Sequence, residues 1–222
     1  MFRDRHEAGL ALAEALAEAL AARAPERPVV LALPRGGVPV AAPVAERLGA
    51  PLGLLLVRKL GVPGHEELAA GAVGDGDPPV TVFNPHVLAM IGMREGDFAP
   101  RVAAKAAEIA ERRARYLGGR PDPEVAGRTA IVIDDGIATG ATVKAALQVL
   151  RARGPARIVL AVPVAPAEAV REMEGLADEV VCLETPEPFI AVGAHYRSFP
   201  QTEDAEVVAL LAAAAAREAK GA

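Results

Sequence analysis

Aromatic residues are scarce in this chain: two Tyr, five Phe and no Trp among 222 residues, although 52% of the sequence is hydrophobic. A core built from it must consist mostly of Ala, Val and Leu, and the chain is long enough to bury a substantial one. Cysteine is nearly absent. Cys182 alone excludes an intrachain disulfide, and its place in the apolar run "EVVCL" suits a buried structural thiol better than a reactive one. Net positive charge is lacking too. The balance of −5 argues against a general nucleic-acid binder but leaves room for a local basic pocket. Glu14 and Glu18 interrupt the Leu-Ala run near the N-terminus, so it is not a membrane span, and it lacks a signal-peptide layout. The expectation is a soluble cytoplasmic protein with no membrane or nucleic-acid partner. His6, His65, His86 and His195 show no ligand spacing, so a structural zinc site is not expected.

What is present is an alternation of apolar strands and amphipathic helices. Leu12, Leu16 and Leu20 recur at four-residue spacing, with Glu14, Glu18 and Arg23 off the stripe, which predicts an opening helix. "PVVLAL" (28–33) predicts a buried strand, followed by a helix over 38–48 whose start Pro43 obscures. "LGLLLV" (52–57) predicts a second strand, and "RKLGVPGHEE" a loop rich in Gly and charge. "AAGAV" and "PVTVF" flank "GDGDP", a β-hairpin pattern; turn chemistry explains Asp75 and Asp77 without a metal. Residues 97–117 predict a helix whose arginines balance acids four residues away (Asp97 with Arg101, Glu108 with Arg112, Glu111 with Arg115), a solvated face rather than a polyanion strip. A strand at 129–133, a helix ended near Gly154, strands at "RIVLAVPV" and "EVVCL" around a helix at 166–175, and a terminal helix with Thr202 as N-cap complete the chain.

This pattern predicts an α/β fold: one domain over 1–222, doubly wound on a mainly parallel sheet of about five core strands, with an inserted hairpin and helix at 70–117. Ligands of such sheets collect beyond the carboxyl ends of the strands. "PRGG", "RKLGVPGHEE" and "DDGIATGAT" all fall there.

The informative stretch is "IVIDDGIATGAT" (131–142). Residues 139–142 are small and carry two hydroxyls, and a helix start follows, which together make a phosphate cradle. The Walker A spacing and the dinucleotide-binding glycine spacing are both missing. Asp134 and Asp135 directly before it would repel a bare phosphate. They suit a ligand that also carries a sugar diol or a divalent cation, since carboxylates accept hydrogen bonds from hydroxyls and hold Mg²⁺ directly or through its waters. The residues therefore point to a sugar phosphate.

The stretch resembles the phosphoribosyl-diphosphate motif of the type I phosphoribosyltransferase family, and the strand–helix order from about 28 to 185 is similar to that family's layout. The resemblance implies Mg²⁺-dependent transfer of a phosphoribosyl group from phosphoribosyl diphosphate to a nitrogenous base, releasing pyrophosphate. It implies that Asp134 and Asp135 hold the ribose hydroxyls and, through water, the metal. Ala138, Thr139, Gly140, Ala141 and Thr142 would bind the 5-phosphate. "PRGG" would bind pyrophosphate, with Arg35 supplying charge and Gly36 and Gly37 allowing unusual backbone angles. "VRKLGVPGHEELAAG" resembles the family's mobile loop, with Arg58 and Lys59 neutralising the leaving group and Glu66 or Glu67 open as a general base.

The acceptor-binding hood would be 184–200, where Phe189, Tyr196, Phe199 and Arg197, with Ile137, are candidates to meet the base. Ala138 stands where many 6-oxopurine enzymes of the family carry an acid, and Gly136 replaces a usual apolar residue, so the acceptor stays open. Dimers are common in the family, and helix 97–117 offers a contact surface. A non-catalytic sensor of the same ligand, or another transferase or hydrolase using the cradle, are the rival readings.

Overall fold

The computed structural model describes residues 1–21, 27–76 and 78–221, so Arg23 and Asp77 lie outside the described residues. In chain order, α1 (Arg5–Ala21), β1 (Val29–Ala32), α2 (Gly37–Leu48) and β2 (Leu52–Leu54) lead into β3 (Val57–Val62), β4 (His65–Gly74) and β5 (Val80–Phe83). After these come α3 (Pro85–Ile91), α4 (Ala99–Leu117), β6 (Thr129–Ile133), α5 (Ala141–Ala152), β7 (Arg157–Val164), α6 (Ala167–Glu174), β8 (Glu179–Glu184) and α7 (Asp204–Gly221).

Five strands form a parallel sheet in the order β2-β1-β6-β7-β8. β1 is central to the topology, with Val30 in register with Leu52 on one side and Ile131 on the other. Both faces of the sheet are covered, which is why its strands are continuously apolar rather than alternating. Val30, Ala32, Ile131, Ile133, Val159 and Ala161 pack in one core with α1, α2 and α7. Their sequence neighbours Val29, Leu31, Ala130, Val132, Ile158 and Leu160 pack on the other side with α5 and α6. The predicted stripe on α1 is buried at Leu12, Leu16 and Leu20, each side chain contributing about 1.5–3 kcal/mol. Gly9 lets α1 close on α2: a Cβ there would lie 2.5 Å from the Val40 carbonyl oxygen. Pro43 sits inside α2 rather than at its start.

Strand order reverses between β1 and β6. The chain's second parallel strand lies on one side of its first and the later strands on the other, so a crevice opens at the carboxyl ends of β1 and β6. The two motifs at those ends, "PRGG" and "DDGIATGAT", therefore face the same crevice.

Several expectations change. "RKLGVPGHEE" is not a loop but the two arms of an antiparallel ribbon, β3 with β4, turning at Pro63-Gly64. β4 continues to pair with β5, so the hairpin pattern around residues 70–83 becomes the outer part of a three-stranded sheet. Only Leu55 and Leu56 separate β2 from β3. Gly74, closing β4, presses on α5, where a Cβ would lie 2.0 Å from Val149 Cγ1. Of the three acid–arginine pairs expected on α4, only Glu111–Arg115 forms, at 2.9 Å. Asp97 instead accepts from the Arg94 amide and Glu108 pairs with Lys105. Thr202 is not the N-cap of α7, which begins two residues later. Cys182 is half-buried on edge strand β8, not deep in the core; its thiol donates to the Glu184 carbonyl, and burial raises its pKa.

Candidate active site

Each segment of the crevice is held by backbone bonds that the sheet dictates. Beyond β1, the Leu33 amide donates to the Ile133 carbonyl and the Gly37 amide to Leu33, folding "PRGG" over the end of β6. The Pro34–Arg35 peptide is cis. Gly36 has ordinary right-handed angles (φ −61°, ψ −33°), so the expected need for unusual backbone angles is not the reason for glycine. Close approach is. A Cβ on Gly36 would lie 2.0 Å from Asp135 Oδ2, and one on Gly37 would lie 2.6 Å from the Ile133 carbonyl oxygen and 3.0 Å from Asp134 Cα. Any side chain here would push the turn off the acidic pair.

Beyond β6, the Ile137 amide donates to the Val164 carbonyl at the end of β7, which draws the loop across the sheet. Gly136 is needed for room as well as for its φ of +157°: a Cβ would meet Val192 Cγ1 at 2.6 Å and Val164 Cγ1 at 2.9 Å. Gly140, at φ +73°, starts α5 with no side-chain cap, so the first amides of that 12-residue helix are left for a ligand or water. Asp134 and residues 136–143 line a cavity of about 150 Å³. Thr139 and Thr142 are exposed at its rim, and Ile137 is buried beneath it.

The two carboxylates do different things. Asp134 faces the cavity, and its Oδ1 accepts from the Asp135 amide at 2.9 Å. Burial and the neighbouring Asp135 charge hold its pKa well above the usual carboxylate range. Asp135 carries an ion pair instead: Arg5 Nε donates to its Oδ2 at 2.8 Å, with side-chain exposures of only 11% and 16%. The Asp135 carbonyl accepts from the Tyr196 hydroxyl at 2.6 Å.

The remaining predicted residues are scattered. Arg35 reaches Asp204, at the start of α7, at 3.5 Å. Arg58 and Lys59 do not act side by side, because consecutive strand residues point to opposite faces. Arg58 pairs with Glu108 of α4 at 3.4 Å, whereas Lys59 borders a pocket with Ala141 and Lys144 at the start of α5. Glu66 pairs with Arg101; the side chain of Glu67 lies outside those described. In the 184–200 segment, Phe189 stacks on His195 with ring centroids 5.4 Å apart. Tyr196 is buried between Phe2 and Phe199, and burial raises its pKa. Arg197 is exposed.

With this geometry in view, comparison with known proteins is decisive. Residues 3–198 match the family model of the Phosphoribosyl transferase domain. The chain belongs to that family. Two Mycobacterium tuberculosis proteins, each named "Putative phosphoribosyl transferase", are 49% identical over 211 residues, which is 95% of this chain and 46% of each relative. The chain thus spans about half the length of the curated relatives it matches. A solved structure, TT1426 from Thermus thermophilus, superposes with a TM-score of 0.82 at 46% identity, covering 95% of this chain and 97% of that one. The α/β architecture with its five-stranded parallel sheet is therefore that of the phosphoribosyltransferases.

Sequence reasoning missed Arg5. It lies 130 residues from Asp135, and nothing around it in "FRDRHEAG" marks it as more than the start of a helix. Only the docking of the first residues against 195–198 brings it there: the Phe2 amide donates to the His195 carbonyl, and the Arg197 and Ser198 amides donate to Phe2 and Arg3.

Proposed function

We propose that the domain transfers the 5-phosphoribosyl group of phosphoribosyl diphosphate to a nitrogenous base, with release of pyrophosphate. The observation that carries this reading is the cavity of about 150 Å³ with a carboxylate, Asp134, on one wall and an uncapped helix start with two exposed hydroxyls on the other. One ligand presenting a diol and a phosphate satisfies both walls.

In this reading the amides of residues 138–142 and the Thr139 and Thr142 hydroxyls donate to the 5-phosphate, helped by the positive end of α5. Asp134 accepts from the ribose hydroxyls and fixes the sugar, which orients the anomeric carbon towards the "PRGG" turn. Arg35 of that turn, and Lys59 across the ribbon, supply positive charge to the departing pyrophosphate.

Mg²⁺ fits the same donor set. Among the described residues no group of three or more His, Cys, Asp or Glu could hold a metal unaided. Mg²⁺ characteristically takes only one or two carboxylates and completes its shell with water and substrate phosphate. Asp134, whose charge is disfavoured by burial and by Asp135, is the residue that would hold it, with Asp135 contributing through water. When bound, the ion supplies positive charge to the pyrophosphate oxygens.

For the acceptor, Tyr196 and Ile137 are occupied by packing, which leaves Arg197 and the Phe189 ring in the 184–200 segment to meet the base. The test is calorimetric titration with phosphoribosyl diphosphate and Mg²⁺, followed by a pyrophosphate-release assay over a panel of nucleobases. Binding with base-dependent release is expected. Binding without turnover on any base would favour a sensor, and no binding would overturn the reading.

A further inference from the structure

We propose that the cavity at the amino ends of β2 and β6, walled by Arg120 and Arg128, binds a small monocarboxylate with an apolar body. This second site is separate from the crevice and stands whether or not the phosphoribosyl reading does.

Its position sets it apart. The cavity measures about 290 Å³, and its wall includes Leu52, the first residue of β2, and Arg128, the residue before β6. Asp134 follows β6 at the other end. The five-residue strand, roughly 16 Å long, therefore lies between the two sites.

The walls are fixed by bonds of their own. Arg120 Nε donates to the Leu117 carbonyl and its Nη1 to the Leu211 carbonyl, both at 3.0 Å, which ties the end of α4 to α7. The Leu52 amide donates to Glu218 Oε1 at 3.2 Å and closes another side. Pro123 lies against Gly53, where a Cβ would come within 2.7 Å of Pro123 Cδ, so the segment after α4 is held on the strand. A preformed cavity of this kind loses little conformational freedom on receiving a ligand.

Charge decides what fits. Asp122 in the wall is matched by Arg113 at 3.1 Å. Arg120 meets only backbone carbonyls, and among the described residues Arg128 has no carboxylate partner, with its Nε buried and lacking any acceptor. A half-buried guanidinium given no acceptor is unfavourable, and an oxyanion beside it offsets that. A carboxylate matches the planar fork of arginine with paired hydrogen bonds. Glu124 and Glu218, both exposed, would repel the second charge of a phosphate monoester. Leu52, Leu117, Leu211 and Ala215 supply apolar surface for the rest of the ligand.

The probes that test this are butyrate, isovalerate and benzoate, with isovaleramide as the uncharged control and inorganic phosphate as the more highly charged one. Each is titrated calorimetrically into the parent, Arg128→Gln and Ala215→Phe, with circular dichroism checking the fold. Ala215→Phe fills the cavity from α7 and leaves both arginines in place. At least one carboxylate should bind the parent with a dissociation constant below about 1 mM. Either substitution should weaken that carboxylate about tenfold or more, and the amide and phosphate should bind the parent weaker by a similar factor. If one variant fails to fold, the other still locates the site. The proposal is overturned if no carboxylate binds saturably, if the amide or phosphate binds as tightly, or if carboxylate binding survives the substitutions unchanged.

Discussion

Two places where carboxyl groups adjoin with arginine against them are finished differently. At the end of β6, Asp134 and Asp135 share one arginine, Arg5, and Asp134 opens onto a cavity rimmed by exposed hydroxyls. At the base of the β3–β4 ribbon, Asp75 and Asp122 adjoin, and each has its own arginine: Arg153 at 3.3 Å and Arg113 at 3.1 Å. Asp75 is only 3% exposed, and burial pushes its pKa up to about 6; Asp122 is raised for the same reason. Asp75 Oδ2 and both Asp122 oxygens lack a hydrogen-bond donor, a desolvation cost that a proton on Asp75 relieves as pH falls below about 6. The comparison teaches that adjoining acids do not by themselves make a ligand site. The pair with an arginine for each acid is closed on itself and acts as a fastening. The pair short of one arginine, beside donors aimed at open space, is left with something to bind.

Breaking the closed pair should have the largest effect. Arg153→Met strands Asp75 without its partner and should cost about 3–5 kcal/mol of unfolding free energy at pH 7.5, read by urea denaturation. The cost should shrink at pH 5, where Asp75 takes up a proton. A loss below about 1 kcal/mol would show that the fastening is not one.

Asp75→Asn tests the same pair through pH. The folded-state pKa of about 6 lies above the ordinary 3.8, so the folded state binds this proton more tightly than the unfolded chain. The stabilisation is complete below about pH 4 and is lost as pH rises through about 6, a contribution of about 3 kcal/mol. The variant should lack that decline, and parallel stability–pH curves for parent and variant would refute it.

Asp134→Asn addresses the open pair. Affinity for phosphoribosyl diphosphate should fall about 10- to 100-fold, the worth of one or two hydrogen bonds to a charged group. Folding stability at pH 7.5 should not fall, since a carboxylate disfavoured by burial is being neutralised. The smallest effect belongs to Arg58 and Glu108, an ion pair whose acid is 47% exposed. Glu108→Gln should change stability by less than about 1 kcal/mol, because water already solvates the pair.

Much of this was legible beforehand, for identifiable reasons. β1, β6 and β7 are covered on both faces, so they appear as short unbroken apolar runs rich in β-branched residues, such as "IVLAV". The acidic pair and the small-residue loop are contiguous, so their shared chemistry is visible in a dozen residues. The ribbon was not legible as strands, because "VRKLGVPGHEE" is charged, glycine-rich and exposed at its tip, and its pairing slips register at Leu60, Gly61 and Val62. Asp75 resembled a solvated turn residue because its arginine comes 78 positions later. Arg5 was invisible for the same reason: a tertiary ion pair between single residues leaves no periodicity.

Gly74 and Val149 carry one further consequence. The ribbon meets α5 with no slack, the valine methyl occupying the volume a side chain at 74 would need. Evolutionary freedom at the two positions is therefore joint rather than separate. Alanine at 74 becomes tolerable only after 149 has shrunk, and a smaller residue at 149 leaves a void until 74 has grown. A library randomising both positions should return compensated pairs, with neither single change among the survivors.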